Sequence, residues 1–335
     1  MVKRIAAIVG AIVLSACHKA PDAEYLRDYN QAHDLIDEYQ GNSARLDQAE
    51  STLTSLIERR PDLPHAHVEM SRIIMNRGHI VSSDYRRGAL ANAEAELNKA
   101  VALDPKFCDA HIVLGHLYFR ERRYGDALKA LDDADALACS SPWSLINRAQ
   151  VDLDLQKFDD AAAALAKVPA ANADSPPAQK RTIQTRALSA QIWIAFSKGN
   201  QEEMIARTRE QLALVPPDNA WDVGNASVSF QQAGAFEDAI ETAREALRRM
   251  HYGAAEHSLG VALYGDSLWR SSRVKGTVED SKAKEEWAEA ESLVSFADAG
   301  KILWGSLANR DVAFRSLLQT KLTATQPDRP ASTSR

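Results

Sequence analysis

The sequence repeats with a period of 34 residues through the middle of the chain, and this repeat limits the possible folds more than any other feature. The clearest unit runs from Cys108 to Ser141. From Leu26 onward, amphipathic helical patterns alternate with short turns, and alternating β-branched runs are almost absent. Because such units bury their apolar faces only against their neighbours, we expect an all-α fold of stacked helical hairpins.

Within the clearest unit, small residues stand where two antiparallel helices would touch, namely at Gly115, Ala127 and Ala134. Large residues on the same two helices would fill the grooves between them: Leu114, Tyr118, Tyr124 and Leu131. This pattern resembles the tetratricopeptide repeat (TPR), whose spacing places small residues at the eighth, twentieth and twenty-seventh positions. The resemblance implies a TPR-like solenoid of antiparallel helical hairpins.

Weaker units continue the same frame on both sides of this one. The residues that fit it are Ala49, Leu53, Leu56, Ala93, Leu97, Ala100, Ala149, Phe158, Ala161, Leu165, Gly199, Met204, Gly234, Phe236, Ala239, Ala243 and Ala246. Pro61, Pro105 and Pro216 each follow a second helix, where proline ends a helix without breaking it. The resemblance covers residues 30–300 and is strongest over 108–250.

Two insertions and the C-terminal region depart from the frame. Gly78 to Gly88 and Ser271 to Glu279 are longer than a repeat turn requires, which is typical either of functional loops or of tolerated surface insertions. After a helix from Val278 to Ala297, we expect one capping helix over residues 301–322. Residues 323–335 are expected to be a disordered tail.

The N-terminal residues predict export and a lipid anchor. Lys3 and Arg4 precede an apolar run of about ten residues, roughly half of what a membrane-spanning helix needs, so residues 1–16 are predicted to be a signal peptide. The sequence LSAC that ends at Cys17 resembles the lipobox of bacterial lipoproteins. It implies a lipidated Cys17 followed by a short tether, residues 17–29. The alternative is an ordinary cleaved signal with a coincidental cysteine.

The residue that follows Cys17 refines the predicted localisation. In the enterobacterial sorting pattern an Asp after the lipidated cysteine retains a protein in the inner membrane, whereas this chain has His18. We therefore expect a lipoprotein of the outer membrane that faces the periplasm.

Removal of residues 1–16 would change the net charge from −6 to −8, because the segment carries Lys3 and Arg4 and no acidic residue. Such a surface argues against nucleic acid as a partner.

The sequence offers no convincing catalytic or metal site. Glu256 to Gly260 differs from a nucleophile elbow only at the first glycine, but it lies within a helical pattern, whereas an elbow needs a strand, a sharp turn and a helix. His111 and His116 are five residues apart, which does not place two imidazoles on one helix face. HExxH motifs, paired CxxC motifs and phosphate-binding glycine loops are absent from the sequence. We therefore expect no enzymatic activity, no metal and no cofactor.

The remaining cysteines form an even pair once Cys17 is lipidated. Cys108 begins the first helix of the clearest unit and Cys139 ends its second, and an antiparallel hairpin brings those two ends together. In an oxidising compartment such a pair is a disulfide candidate. The bond would close a loop of about thirty residues and contribute roughly 3–4 kcal/mol in the chain-entropy model.

The TPR resemblance also implies a binding surface. In TPR arrays the first helix of each hairpin lines a concave groove that typically receives a peptide or a partner helix. The frame maps an apolar, aromatic set with few charges onto this groove: Ile112, His116, Phe119, Arg120, Ile146, Gln150, Leu153, Trp193, Phe196, Trp221, Val228 and Gln231. About half of these side chains are expected to be accessible.

These features favour a non-enzymatic scaffold or assembly factor in the cell envelope, acting in outer-membrane protein, pilus or secretin, or polysaccharide-export assembly. The alternative is an adaptor or regulator of peptidoglycan-modifying enzymes. In both hypotheses the partner is a protein, held by a peptide or helix in the groove, and the lipid attaches the chain to the membrane.

Overall fold

The computed structural model describes residues 20–39, 41–81, 84–139, 141–216, 219–274, 280–306 and 311–325. These residues form two compact units, which we call unit 1, ending at Leu137, and unit 2, beginning at Ala138. Both units are built from antiparallel helices that pack as successive pairs, as the repeat pattern predicts. None of the helices within the described ranges combines the length and the apolar character needed to cross a membrane.

Unit 1 contains three helical hairpins. Its helices are α1 (Ala23–Asp37), α2 (Ser43–Arg59), α3 (His65–Gly78), α4 (Ala89–Leu103), α5 (Cys108–Arg120) and α6 (Tyr124–Ala136). Helix α1 packs on α2, α3 on α4 and α5 on α6, while α3 also contacts both α1 and α5. Because the first helices are therefore neighbours, their exposed faces form one surface.

Helix α1 begins at Ala23, inside the segment predicted as a tether and seven residues before the predicted start of the repeats. The side chain of Asp22 accepts a hydrogen bond from the backbone N–H of Tyr25 (2.8 Å) and so caps the helix. Tyr25 itself is buried in the core of the first hairpin. The first turn of α1 is thus part of the repeat array.

The insertion between α3 and α4 forms a small β-hairpin that the sequence did not predict. Strand β1 (His79–Val81) pairs antiparallel with β2 (Asp84–Tyr85), and the rings of His79 and Tyr85 lie 5.4 Å apart. Arg120 of α5 donates a hydrogen bond to the Tyr85 hydroxyl (3.1 Å). This contact fixes the insertion against the following hairpin.

Unit 2 contains the remaining helices. They are α7 (Pro142–Asp154), α8 (Phe158–Leu165), α9 (Val168–Ala171), α10 (Pro177–Ser197), α11 (Gln201–Leu212), α12 (Ala220–Ala233), α13 (Phe236–Arg249), α14 (Gly253–Ser271), α15 (Ser281–Leu293), α16 (Phe296–Ser306) and α17 (Val312–Thr325). The hairpins pair α7 with α8, α10 with α11, α12 with α13 and α14 with α15. Helix α10 also contacts α7 and α12.

The C-terminal end differs from the single capping helix predicted over residues 301–322. Two helices, α16 and α17, stand there instead, and both pack against α14, which is buried from Ser258 to Leu268. The break has a local cause, because the Asp311 side chain accepts a hydrogen bond from the backbone N–H of Phe314 (2.8 Å) and starts a new helix. Helix α17 continues to Thr325, into the predicted tail, and residues 326–335 lie outside the described ranges.

Candidate partner-binding surface

Three of the predicted groove residues are well exposed. Trp193 and Trp221 each expose 48% of their surface and Val228 exposes 40%. They lie on α10 and α12, the first helices of two successive hairpins in unit 2. Trp221 and Val228 are seven residues apart on α12 and so share one helix face. We call Trp193, Phe196, Trp221 and Val228 the aromatic stripe.

Neighbouring rings support both exposed tryptophans. The rings of Trp193 and Phe196 lie 5.5 Å apart, and those of Trp221 and Tyr252 lie 4.5 Å apart. Tyr252 is held in turn by a hydrogen bond from its hydroxyl to the backbone oxygen of Ala220 (3.1 Å). These contacts restrict the indole rings before any partner arrives, which lowers the entropy lost on binding.

Four predicted groove residues are buried: Ile112, Ile146, Leu153 and Gln231. Ile146 and Leu153 belong to a core cluster formed with residues of α8 and α10. Their side chains pack between helices and are not available to a partner, which corrects the sequence-based assignment of these four positions.

The other predicted positions are half-buried: His116, Phe119, Arg120, Gln150 and Phe196. The guanidinium of Arg120 donates a hydrogen bond to the Tyr85 hydroxyl, and its central carbon lies 5.4 Å from the centre of the Tyr85 ring. Within the described residues, the side-chain oxygen of Gln150 is buried and accepts no hydrogen bond.

Unit 1 carries a polar cluster that the sequence-based frame missed. Tyr29, His33 and Asp37 follow each other at four-residue spacing on α1, and Glu69 and Arg72 face them from α3. His33 Nδ1 lies 3.0 Å from Glu69 Oε1, and Arg72 donates a hydrogen bond to Glu69 Oε2 (2.7 Å). The Tyr29 hydroxyl donates to Glu69 Oε1 (3.3 Å), and Arg72 also pairs with Asp37. In the sequence, the four-residue spacing of Tyr29, His33 and Asp37 was the feature that could have indicated this cluster.

The charges of this cluster stabilise one another. Burial alone would lower the pKa of His33, but its hydrogen bonds to Asp37 and Glu69 raise that pKa to about 10. Burial opposes ionisation of Glu69 as well, yet Arg72 and His33 hold the pKa of its carboxyl below the usual range. At neutral pH the cluster therefore contains two cations, His33 and Arg72, and two anions, Asp37 and Glu69.

A buried carboxylate pair lies in unit 2, beside a cavity of about 580 Å³ lined in part by Asp266, Trp269 and Arg270. Glu286 of α15 exposes only 8% of its side chain. Burial and the negative charge of Asp266 raise the pKa of Glu286 to about 7. Arg270 pairs with Asp266 (2.7 Å) and lies 3.8 Å from Glu286, so one guanidinium is shared by both carboxylates.

The described residues give no support to a catalytic centre at Ser258. Ser258 lies within α14, and its hydroxyl is buried 2.9 Å from the hydroxyl of Ser227. Ser227 donates in turn to the backbone oxygen of Ala239 (2.8 Å). The local structure is a continuous helix, which lacks the strand and strained turn of a nucleophile elbow. Within the described ranges, no group of three or more His, Cys, Asp or Glu side chains is placed to hold a metal ion.

Two of the three cysteines, Cys108 and Cys139, lie in the part of the chain that the structure describes. Cys17 and the predicted signal peptide lie outside the described residues. Cys108 begins α5, Cys139 lies three residues after α6, and each is disulfide-bonded. The pairing of Cys108 with Cys139 stays a prediction.

Comparison with known families and curated proteins gives one partial match. A family model described as anaphase-promoting complex, cyclosome, subunit 3 matches residues 86–168, a range that contains all of α4 to α8. Among curated proteins, none matches the sequence. The family match falls in the region where the repeat pattern is clearest.

Solved structures resemble the chain over most of its length. A tetratricopeptide repeat protein from Parabacteroides merdae is 16% identical with a TM-score of 0.44, covering 90% of this chain and 100% of its own. A chain of the APC/C hetero-tetramer Cut9–Hcn1 is 14% identical with a TM-score of 0.51, covering 89% of this chain and 54% of its own. PilW, a type IV pilus biogenesis factor, is 15% identical with a TM-score of 0.45, covering 74% of this chain and 98% of its own. At 14% identity the likeness to the Cut9–Hcn1 chain concerns the fold alone. In repeat pattern and structure the chain has the all-α, helical-hairpin fold of a TPR-like solenoid.

Proposed function

We propose that this chain is a non-enzymatic scaffold that holds a segment of a partner protein on the aromatic stripe of unit 2. The observation that carries the proposal is the exposure of Trp193 and Trp221, each near one half. Large aromatic side chains at the surface are the residues that most often dominate binding energy at protein interfaces. Their supporting rings, Phe196 and Tyr252, keep them in place.

The chemistry of the stripe indicates the kind of segment that would bind. Between Trp221 and Val228 the exposed α12 residue is Asn225, which carries no charge. An apolar stripe with a neutral amide is complementary to the apolar face of an amphipathic helix or to an extended peptide with apolar side chains. A charged peptide terminus would find no counter-ion among these residues.

We further propose that the scaffold is lipid-anchored through Cys17 in the outer membrane, facing the periplasm. Because α1 begins at Ala23, only residues 18–22 would separate the anchor from the first hairpin. So short a connection would keep unit 1 close to the lipid surface. Mass spectrometry of the mature N-terminus tests the acyl chains, and membrane fractionation of the Cys17→Ser variant should find the protein released from the membrane.

Site-specific photocrosslinking in the native host tests the partner proposal. A photoreactive phenylalanine analogue at Val228 reports on the stripe, and the same analogue at Ile80, which is 61% exposed on the β-hairpin of unit 1, is the matched control. We expect a discrete crosslinked protein from position 228 only. The double variant Trp193→Ala, Trp221→Ala should reduce its yield at least about tenfold, equivalent to a loss of about 1.4 kcal/mol or more in binding.

The result also separates the candidate pathways. Assembly proteins for the outer membrane, pili, secretins or polysaccharide export as the crosslinked partner support the scaffold proposal, whereas a cell-wall hydrolase or synthase supports the adaptor alternative. An unchanged yield in a double variant that melts normally would exclude the stripe as the binding surface. Unfolding of the double variant would instead show that the two tryptophans serve the core.

A further inference from the structure

The first helices of the unit 2 hairpins share one surface, which we call the first-helix face, and part of it is already covered by the chain itself. Helix α14 is buried at every position from Ser258 to Leu268. This stretch makes about three helical turns, so α14 is covered on all sides. Helices α12, α13 and α15 cover part of its circumference, and α16 and α17 cover the rest. The first-helix face is therefore closed at α14, whereas the aromatic stripe lies exposed on α10 and α12.

Helix α16 does not stand where another repeat would place it. In unit 1 each new first helix packs on the second helix before it, as α3 does on α2 and α5 does on α4. Helix α16 follows closely on α15, yet its contacts, besides those with α17, are chiefly with α14 and α12, which are both first helices. It thus turns back over the first-helix face and reaches the helix that carries Trp221 and Val228.

Helix α16 is amphipathic and lies with its apolar side on this face. Phe296 and Leu303 are buried in the core cluster shared by α12, α13 and α14, and the ring of Phe296 lies 5.1 Å from that of Tyr264 on α14. The exposed side carries Asp298 and Lys301, whose side chains are joined by a hydrogen bond of 2.9 Å. Within this chain, the first-helix face is therefore covered by an α-helix that directs its charges outward.

Ile302 of α16 adds apolar surface beside the aromatic stripe. Its surface is 39% exposed. Two residues earlier, Gly300 packs against the side chain of Leu322 on α17, and residues two apart lie on nearly opposite sides of a helix. Ile302 therefore lies on the side of α16 that faces away from α17, which leaves it on the side of α12. The exposed residues of α12 consequently lie between α10 and Ile302.

Backbone chemistry favours a helix as the occupant of this space. An extended segment keeps backbone N–H and C=O groups that must find hydrogen-bond partners when they are buried against a protein surface. Between Trp221 and Val228 the exposed residue of α12 is Asn225, so the surface there offers one amide and otherwise apolar groups. A helix satisfies most of its backbone groups internally and can present an apolar face.

We propose that the partner segment is an amphipathic α-helix that lies along α12, between Trp193 on α10 and Ile302 on α16. The inference rests on the proposed function, and it adds the conformation of the bound segment and one further residue of the site. Trp221, Asn225 and Val228 form a row about 10 Å long on one face of α12, which suits a helix packed lengthwise. The partner helix would cover α10 and α12 as α16 covers α14.

Paired photocrosslinking in the native host measures the rise per residue of the bound segment. The photoreactive phenylalanine analogue is placed in the full chain at Asn225 or at Gln232, which are seven residues and about 10 Å apart on one face of α12. Mass spectrometry of the crosslinked peptides then locates the two capture sites in the partner. A helix, which rises about 1.5 Å per residue, should give sites about seven residues apart. An extended segment, at about 3.3 Å per residue, would give sites about three residues apart.

The same analogue at Ile302 tests the contribution of α16. It should capture the same partner peptide as the analogue at Val228, whereas Glu285, exposed on the second helix α15, is the matched control and should not. Ile302→Gln should reduce the crosslinking yield at Val228 about threefold, because it removes apolar contact area. Lys301→Gln changes the charged side of α16 and should leave the yield unchanged. Ile302→Ala replaces the glutamine variant if thermal melting shows that the latter is unfolded.

Failure of the helix and failure of the proposed function give different results. Capture at Val228 with sites only about three residues apart from Asn225 and Gln232 would overturn the helical segment and leave the scaffold proposal intact. Capture at Val228 without capture of the same peptide at Ile302 would likewise overturn the placement beside α16 alone. The absence of any capture at Val228 would remove the proposed binding surface, and the partner helix with it.

Discussion

The imidazole of His33 and the carboxylate of Glu69 lie 3.0 Å apart although 36 residues separate them in the chain. The contact joins the first helices of two successive hairpins, α1 and α3. Arg72 and Tyr29 bind the same carboxylate, so Glu69, with only 3% of its side chain exposed, is the centre of the polar cluster. Buried charges of this kind are costly unless every partner is present.

Glu69→Gln should therefore destabilise unit 1. The amide cannot compensate His33 and Arg72, and removal of one member of a buried ion pair typically costs about 3–5 kcal/mol of unfolding free energy. Glu58→Gln, an exposed carboxylate on α2, should change the unfolding free energy by less than about 0.5 kcal/mol. Urea denaturation at pH 7 measures both, and equal stabilities for the two variants would contradict the central role of Glu69.

His33 should remain protonated well above neutral pH. Its folded-state pKa is about 10 against an ordinary value of 6.5, so its contribution to stability is complete below pH 6.5 and is lost as the pH rises towards 10. In a ¹⁵N NMR titration the imidazole should stay in the cationic form at pH 8. The stability of His33→Gln should decline less than that of the parent between pH 6.5 and 9.5, and an imidazole that titrates near 6.5 would refute the assignment.

The sequence predicts the hairpins well because their packing is local. Gly115 and Leu131 are 16 residues apart within one hairpin, and the 34-residue period places them in contact without knowledge of any other unit. The start of α17 was also readable, since Asp311 is a favourable N-cap. The error of assuming one capping helix came from extending the helical pattern through a capping residue.

The site depends on contacts between hairpins, which a repeat frame does not supply. Ile146 and Leu153 have the pattern of groove residues, but the position of α10 relative to α7 buries them. The polar cluster requires α1 and α3 to lie side by side, so the pairing of His33 with Glu69 cannot be derived from either helix alone. Trp193 and Trp221, by contrast, are exposed, and their role in binding a partner stays a prediction.

Gly115 and Gly125 offer a paired test of hairpin packing in α5 and α6. A Cβ atom at Gly115 would lie 2.7 Å from two side-chain carbons of Leu131, which is fully buried, whereas a Cβ at Gly125 would meet nothing within 4 Å. Gly115→Ala should lower the unfolding free energy by about 1–3 kcal/mol, and Gly125→Ala should raise it by about 0.5–1 kcal/mol. Chemical denaturation compares them, and a stabilised Gly115→Ala protein would show that the hairpin is loosely packed.

The proposed disulfide between Cys108 and Cys139 should appear in protein isolated from its native compartment. Non-reducing peptide mapping is expected to find the two cysteines in one crosslinked peptide pair. Cys108→Ser, Cys139→Ser should lower the unfolding free energy by roughly 3–4 kcal/mol, because the closed loop of about thirty residues restricts the unfolded chain. Two free thiols in carefully alkylated native protein would end this proposal.

Glu286 should make unit 2 less stable as the pH rises through neutrality. Its folded-state pKa of about 7 lies above the ordinary 4.5, because burial and the charge of Asp266 disfavour the carboxylate. The folded state therefore holds the proton more tightly than the unfolded state, and the stability from this group, complete below pH 4.5, is lost as the pH rises towards 7.

Glu286→Gln, which stays neutral, should exceed the parent in stability by about 1–3 kcal/mol at pH 8 and match it at pH 4.5. Glu285→Gln, an exposed neighbour on α15, is the control and should show no such dependence on pH. If urea denaturation gives parallel pH profiles for the parent and Glu286→Gln, the ion pairs with Arg270 and Lys282 outweigh the burial of this carboxyl.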